Sequence, residues 1–171
     1  GASAELDRLV TQLNAPLVTT VSGQGSLADH HPLNVGVVGS NGGIDATRDV
    51  VAQADLVMFI GCRVGSTSTE HWKVPSRSVK LIHLDVDAST VAANYRTEVP
   101  LVGDALLSLR ALNVALADRL KTRPRLDAAD GRAIVEQARA RKWAAFAPLA
   151  ASLDRSEEHT SELQSHVRIS Y

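Results

Sequence analysis

Cysteine occurs once in the 171 residues, at Cys62, so the chain has no internal disulfide framework and is expected in a reducing cytoplasm. The simplest role for that thiol is a small buried side chain after a strand. Aromatic residues make up only 4%. The core must then come from Val, Leu, Ile and Ala, which favours helices packed on a parallel sheet. No apolar run is long enough to span a bilayer, and no secretory signal opens the chain. Net charge is -1 with neither sign clustered, so nothing calls for a nucleic-acid or membrane partner.

Catalytic and metal patterns are also missing. His30 and His31 are adjacent and point different ways, His71 and His83 fall on separate elements, and no H-x-x-x-H or C-x-x-C spacing exists. His83, inside an apolar strand, reads as a core histidine. There is no G-x-S-x-G elbow and no carboxylate pair with an acid/base environment. No catalytic residue and no metal ligand is assigned.

What is present centres on Val79 to Asp87, a Val/Ile/Leu-rich run closed by two carboxylates. It reads as a buried parallel strand, because both faces carry apolar residues. Asp85 and Asp87 would stand outside a strand's carboxyl end, where open α/β sheets bind ligands and a carboxylate can accept from ribose hydroxyls. Capping of a helix from Ala88 is the competing role.

Taken in order, Ala4 to Asn14 predicts a helix with Leu6, Leu9, Val10 and Leu13 inward and Ser3 as cap. Leu17 to Val21 predicts a strand, and Leu33 to Val38 a loop entering another. Ile44 to Ala54 predicts a helix with Ala46, Val50 and Val51 inward, and Leu56 to Ile60 a buried strand. A polar loop covers Ser66 to Ser78. Ser89 to Ala93 predicts a short helix, Val99 to Val102 a strand, and Ala105 to Leu120 a helix with Leu106, Leu109, Leu112 and Leu116 on one face. Lys121 to Arg125 is a polar break. Asp130 to Phe146 is helical, with no later strand to pack on. This alternation implies a Rossmann-like, doubly wound parallel α/β sheet of five or six strands, followed by a helical linker. The predicted units are residues 1–120, 121–154 and 155–171. The last, Arg155 to Tyr171, has no apolar periodicity and resembles a translated short-read sequencing adapter, so it is expected to be non-native and is excluded from fold reasoning.

The strongest local signal is the turn Gly36-x-x-Gly39-x-x-Gly42-Gly43 before a helix. Glycines let backbone N–H groups approach a phosphate, and a helix N-terminus adds a favourable dipole. The spacing departs from G-x-G-x-x-G. Arg63 follows a strand end, where a guanidinium pairs with pyrophosphate or with a surface carboxylate. Asp104 after Gly103 is most simply a helix cap.

His31-Pro32-Leu33, Gly36 to Gly43, Ala54-Asp55-Leu56, Gly61-Cys62-Arg63, Trp72, Ile82 to Asp87, Asn94-Tyr95 and Val102-Gly103-Asp104 come in an order that resembles one family. It is the central domain of thiamine-diphosphate enzymes of the acetolactate synthase type, matched from about residue 4 to 118. The resemblance implies a parent transferase or lyase with a pyrimidine-binding and a pyrophosphate-binding domain outside this chain. It implies thiamine diphosphate and Mg²⁺ held there, 2-oxo acid decarboxylation with carboligation or aldehyde release, and a homodimer or homotetramer. It also implies FAD, ADP or no nucleotide in this domain, with phosphates against Gly39, Asn41, Gly42, Gly43 and Arg63. The adenosine would lie near Asp85, Val86 and Asp104, and Gly61, Asp87 and Gly103 are further expected cofactor contacts. Val64 to Thr67 stands where acetolactate synthases carry Phe-Asp-Asp-Arg. A fragment of this kind is not catalytic alone. The alternatives are an autonomous Rossmann-type NAD or flavin oxidoreductase and an interaction module with an empty pocket.

Overall fold

The computed structural model describes residues 1–122 and 129–151. The predicted 155–171 tail and most of the predicted polar break lie outside that range. Helix α1, Ser3–Leu13, places Leu6, Leu9 and Val10 on one buried face and ends at Asn14, whose left-handed φ of 44° turns the chain. Ser3 is not the cap: the helix starts one residue earlier than expected, at Ser3, and its cap position falls on Ala2, with no side-chain cap bond. Strand β1, Leu17–Thr19, is shorter than expected because Thr20 caps a single 3-10 turn, Val21–Gly23, by accepting from the Gly23 N–H. Strand β2, Asn34–Val37, leads to α2, Asp45–Ala52. Then come β3, Leu56–Ile60, β4, Lys80–Asp85, β5, Val99–Val102, α3, Ala105–Thr122, and α4, Gly131–Ala151. The short helix expected at Ser89 to Ala93 is a set of turns, since Asp87 draws the Ser89 backbone and hydroxyl onto its own carboxylate.

Every strand pair is parallel, and the fold is α/β. Among the described residues five strands form two sheets instead of one continuous layer, β1 with β2 and β3-β4-β5. β4 is the middle strand of the larger sheet, as its sequence required, with Leu81 and Leu84 each 1% exposed. Successive residues face opposite sides, so both sides are covered. On one side Leu84, Met58, Ile60 and Leu17 meet Leu6, Leu9 and Val10 of α1 and Leu109 of α3. Burying each such leucine stabilises by about 1.5–3 kcal/mol, and this shared core spans both sheets. On the other side Val18 and Val35 of the small sheet pack with Val50 of α2 and Val135 and Ala138 of α4. There Val57, Phe59 and Leu81 are covered by Val64 and Tyr95 from loops.

Helix α4 therefore finds its partner backward in sequence, on β2 and α2. Gly131 opens it against the end of α1: a Cβ there would sit 2.0 Å from the Asn14 carbonyl oxygen. Asp130 caps it by accepting from the Arg132 N–H at 3.0 Å and from Asn14 Nδ2 at 2.9 Å. Arg139 Nη2 donates to the carbonyls of Asp29, His31 and Asn34, and Arg141 pairs with Asp49 of α2.

Candidate functional site

A cavity of about 310 Å³ lies between the two sheets, lined by β1 and β3. Chain order places it where the strand sequence changes direction, the position at which open α/β sheets form a ligand crevice. Thr19, Thr20, Ser22 and Gly23 approach from the end of β1, Val38 and Gly39 from β2, and Ile60, Gly61 and Cys62 from β3. Arg48 and Glu70 are the charged residues in its lining, and they pair at 2.5 Å (Nε to Oε2). That bond, and the nearby Asp45 carboxylate, raise the Arg48 guanidinium pKa above its ordinary value.

Of the eleven residues expected to contact a nucleotide, Gly39 and Gly61 line this cavity. The glycine turn is closed by its own chain. A Cβ on Gly39 would meet the Thr67 carbonyl oxygen at 2.5 Å, and one on Gly43 would meet the Gly39 oxygen at the same distance. Gly39 has φ of 98°, and the Gly43 N–H returns to the Gly39 carbonyl at 2.9 Å. Asn41 and Gly42 are exposed beside it. Gly61 differs, because its φ is 58° and nothing lies within 4 Å of the missing Cβ, so its face is open.

Arg63, Asp85, Val86, Asp87, Gly103 and Asp104 gather instead beyond the tips of β3, β4 and β5. Arg63 is exposed, and its carbonyl accepts from Asn94 Nδ2 at 3.3 Å. Asp85 Oδ1 accepts from the Asp87 N–H at 3.0 Å, and the Gly103 N–H donates to the Asp85 carbonyl at 2.9 Å. Val86 is 74% exposed. The Asp87 carboxylate already accepts from Ser89 N–H, Ser89 Oγ and Thr90 Oγ1. The Ser89 hydroxyl, then its N–H, and at longer range Arg63, hold its pKa below the ordinary carboxylate value. Asp104 Oδ1 accepts from the Leu107 N–H at 3.0 Å, which is the cap of α3.

His83 is 3% exposed and satisfied on both ring nitrogens, with Nε2 2.9 Å from the Cys62 carbonyl and Nδ1 accepting from Ala92 N–H. Cys62 is half-buried, not fully buried, and its Sγ accepts from Val64 N–H at 3.4 Å. Among the described residues no three His, Cys, Asp or Glu side chains come together as a metal site. Sequence reasoning missed Arg48, Glu70 and Thr47. Thr47, 3% exposed, donates to the Val37 carbonyl at 2.8 Å and so anchors α2 at the tip of β2. Its only signal was a β-branched polar residue one turn into a predicted helix.

The family profile described as "Thiamine pyrophosphate enzyme, central domain" matches residues 1–112. A protein named "Probable acetolactate synthase large subunit" from Methanococcus aeolicus is 38% identical over 64% of this chain and 18% of its own length. Its namesake from Methanocaldococcus jannaschii is 38% identical over 68% of this chain and 20% of its own. A "Probable 2-ketoarginine decarboxylase" from Pseudomonas aeruginosa is 35% identical over 88% of this chain and 25% of its own. The chain thus spans a quarter or less of the length of these curated relatives.

Proposed function

Since the chain belongs to the thiamine pyrophosphate enzyme central-domain family, we propose that it serves as the non-catalytic middle layer of an acetolactate synthase-like enzyme. The parent would act on 2-oxo acids in the cytoplasm as a homodimer or homotetramer, through decarboxylation followed by carboligation or aldehyde release. The observation that carries this reading is the match across residues 1–112, the stretch that forms both parallel sheets and the cavity between them. Among the described residues no three His, Cys, Asp or Glu side chains converge to hold Mg²⁺. We therefore assign thiamine diphosphate, whose chemistry is carbanion stabilisation, to the pyrimidine- and pyrophosphate-binding domains of the parent.

An adenine nucleotide, FAD or ADP, suits this layer in a restricted way. The open face of Gly61 admits close backbone approach, the exposed Arg63 guanidinium would pair with phosphate, and Asp85 would accept from ribose hydroxyls. The Gly39 to Gly43 turn supports such a ligand only from its exposed Asn41–Gly42 side. A second reading has one observation in its favour. One relative, matched over 150 residues of this chain, is named as a decarboxylase, a name that suits aldehyde release in the parent rather than carboligation.

The test is to purify the chain, release bound small molecules by heat and identify them by mass spectrometry, then titrate ADP and FAD calorimetrically. Binding of either supports the nucleotide role. Co-purified NAD with hydride transfer to a small substrate overturns the non-catalytic reading in favour of an oxidoreductase. No binding of either nucleotide overturns the nucleotide role and leaves a purely structural layer.

A further inference from the structure

Three consecutive residues without glycine's freedom, Glu70, His71 and Trp72, hold φ of 50°, 57° and 68°. Three successive left-handed φ values make a turn that side chains oppose and that persists only where the surroundings over-determine it. Buried Val64, at φ of 50°, adds a β-branched residue in the same region at the head of the segment.

The restraints can be named. Thr69 is fully buried; its Oγ1 donates to the Gly65 carbonyl at 2.9 Å and accepts from the Trp72 N–H at 3.2 Å. Its carbonyl takes the N–H groups of Lys73 and Val74. The Ser40 N–H ties the Thr67 carbonyl to the glycine turn at 2.8 Å. Among the described residues one restraint is both charged and anchored on a helix. Arg48 of α2 grips Glu70, the first residue of the left-handed turn. Ser68, Glu70, Val74 and Pro75 of this segment form one wall of the cavity between β1 and β3.

We propose that residues 64–75 are a strained strap over that cavity, latched shut by the Arg48–Glu70 ion pair and springing open when the pair is broken. The left-handed turn supplies the opening tendency and the ion pair opposes it. Arg48 is 39% and Glu70 14% exposed on their side chains, so added salt or a competing anion reaches the latch. The strap works whether or not a nucleotide binds, so failure of the nucleotide reading leaves it standing.

Cys62 is the sole cysteine of the chain, lines the same cavity, and has its Sγ 4.0 Å from Ser68 Oγ of the strap. The rate of its reaction with a neutral aromatic disulfide reports opening. Arg48→Met and Glu70→Gln should each speed labelling by on the order of tenfold, the opening expected for loss of one part-buried charge-assisted bond. Wild-type labelling should quicken with salt and that of Arg48→Met should not. His71→Gly removes the backbone penalty of the turn, so adding it to Arg48→Met should return labelling toward the wild-type rate. Hydrogen exchange of β4 measured in parallel should stay unchanged, which separates opening of the strap from unfolding. Labelling within twofold of wild type in both latch variants, failure of His71→Gly to restore slow labelling, or loss of β4 protection alongside faster labelling overturns the proposal.

Discussion

Replacing Gly39 by Ala separates a glycine kept for a ligand from a glycine kept for the chain itself. At φ of 98° an alanine is strained, and its Cβ would lie 2.5 Å from the Thr67 oxygen and 3.1 Å from the Ser68 Cα. The backbone term costs roughly 1–3 kcal/mol. Relief of the overlap must move Thr67, which loses the 2.8 Å bond from the Ser40 N–H, for about 1 kcal/mol more. A total near 3 kcal/mol is a large part of the ~5–15 kcal/mol that holds a domain. At about 2–4 °C per kcal/mol for a chain of this size, the midpoint should fall by roughly 6–12 °C. Gly61→Ala is the matched control: its φ of 58° is also left-handed, but nothing lies within 4 Å of the new methyl. It should cost only about 1 kcal/mol. Thermal melts followed by circular dichroism, without added ligand, measure both. If Gly39→Ala is no more damaging than Gly61→Ala, the claim that the turn is closed by its own backbone is wrong.

Arg139→Ala should free α4 by removing a donor shared among three carbonyls, at roughly 1–3 kcal/mol. Limited proteolysis should then cut within residues 131–151 before it touches the β4 region, and an unchanged cleavage pattern argues against docking through Arg139. Acid should weaken both helix contacts of α1. The Glu5 carboxyl lies below its ordinary 4.5, chiefly through the Asn113 amide, and Asp130 below its ordinary 3.8, chiefly through the Asn14 amide. A depressed carboxyl contributes stability that is present above its unfolded value and lost as pH falls through its folded one. Glu5→Gln and Asp130→Asn should therefore flatten the acid limb of the stability profile below about pH 4.5. Acid limbs superimposable on wild type in chemical-denaturation series would remove these two carboxyls from the account.

The sequence alone determined the elements whose signal is local. Leu6, Leu9 and Val10 sit at helical spacing, Leu56 to Ile60 and Val79 to Asp87 are short apolar runs, and the scarcity of aromatics pointed to a Val/Leu/Ile core. These settled α1, β3, β4 and the parallel α/β class, because periodicity and side-chain shape act over a few residues. The ordered set of short motifs from His31 to Asp104 identified the family for the same reason. Only the tertiary structure decided what depends on residues far apart. It divided the strands into two sheets across a cavity, since no local pattern says whether β1 and β3 share hydrogen bonds. It turned α4 back onto β2, where Val135 is fully buried and Gly131 meets the Asn14 backbone. It joined Arg48 to Glu70 across 22 residues, and it filled the space beside Gly39 with the Thr67 carbonyl. Electrostatic pairing and close backbone approach are set by three-dimensional distance, and one-dimensional spacing carries no record of it.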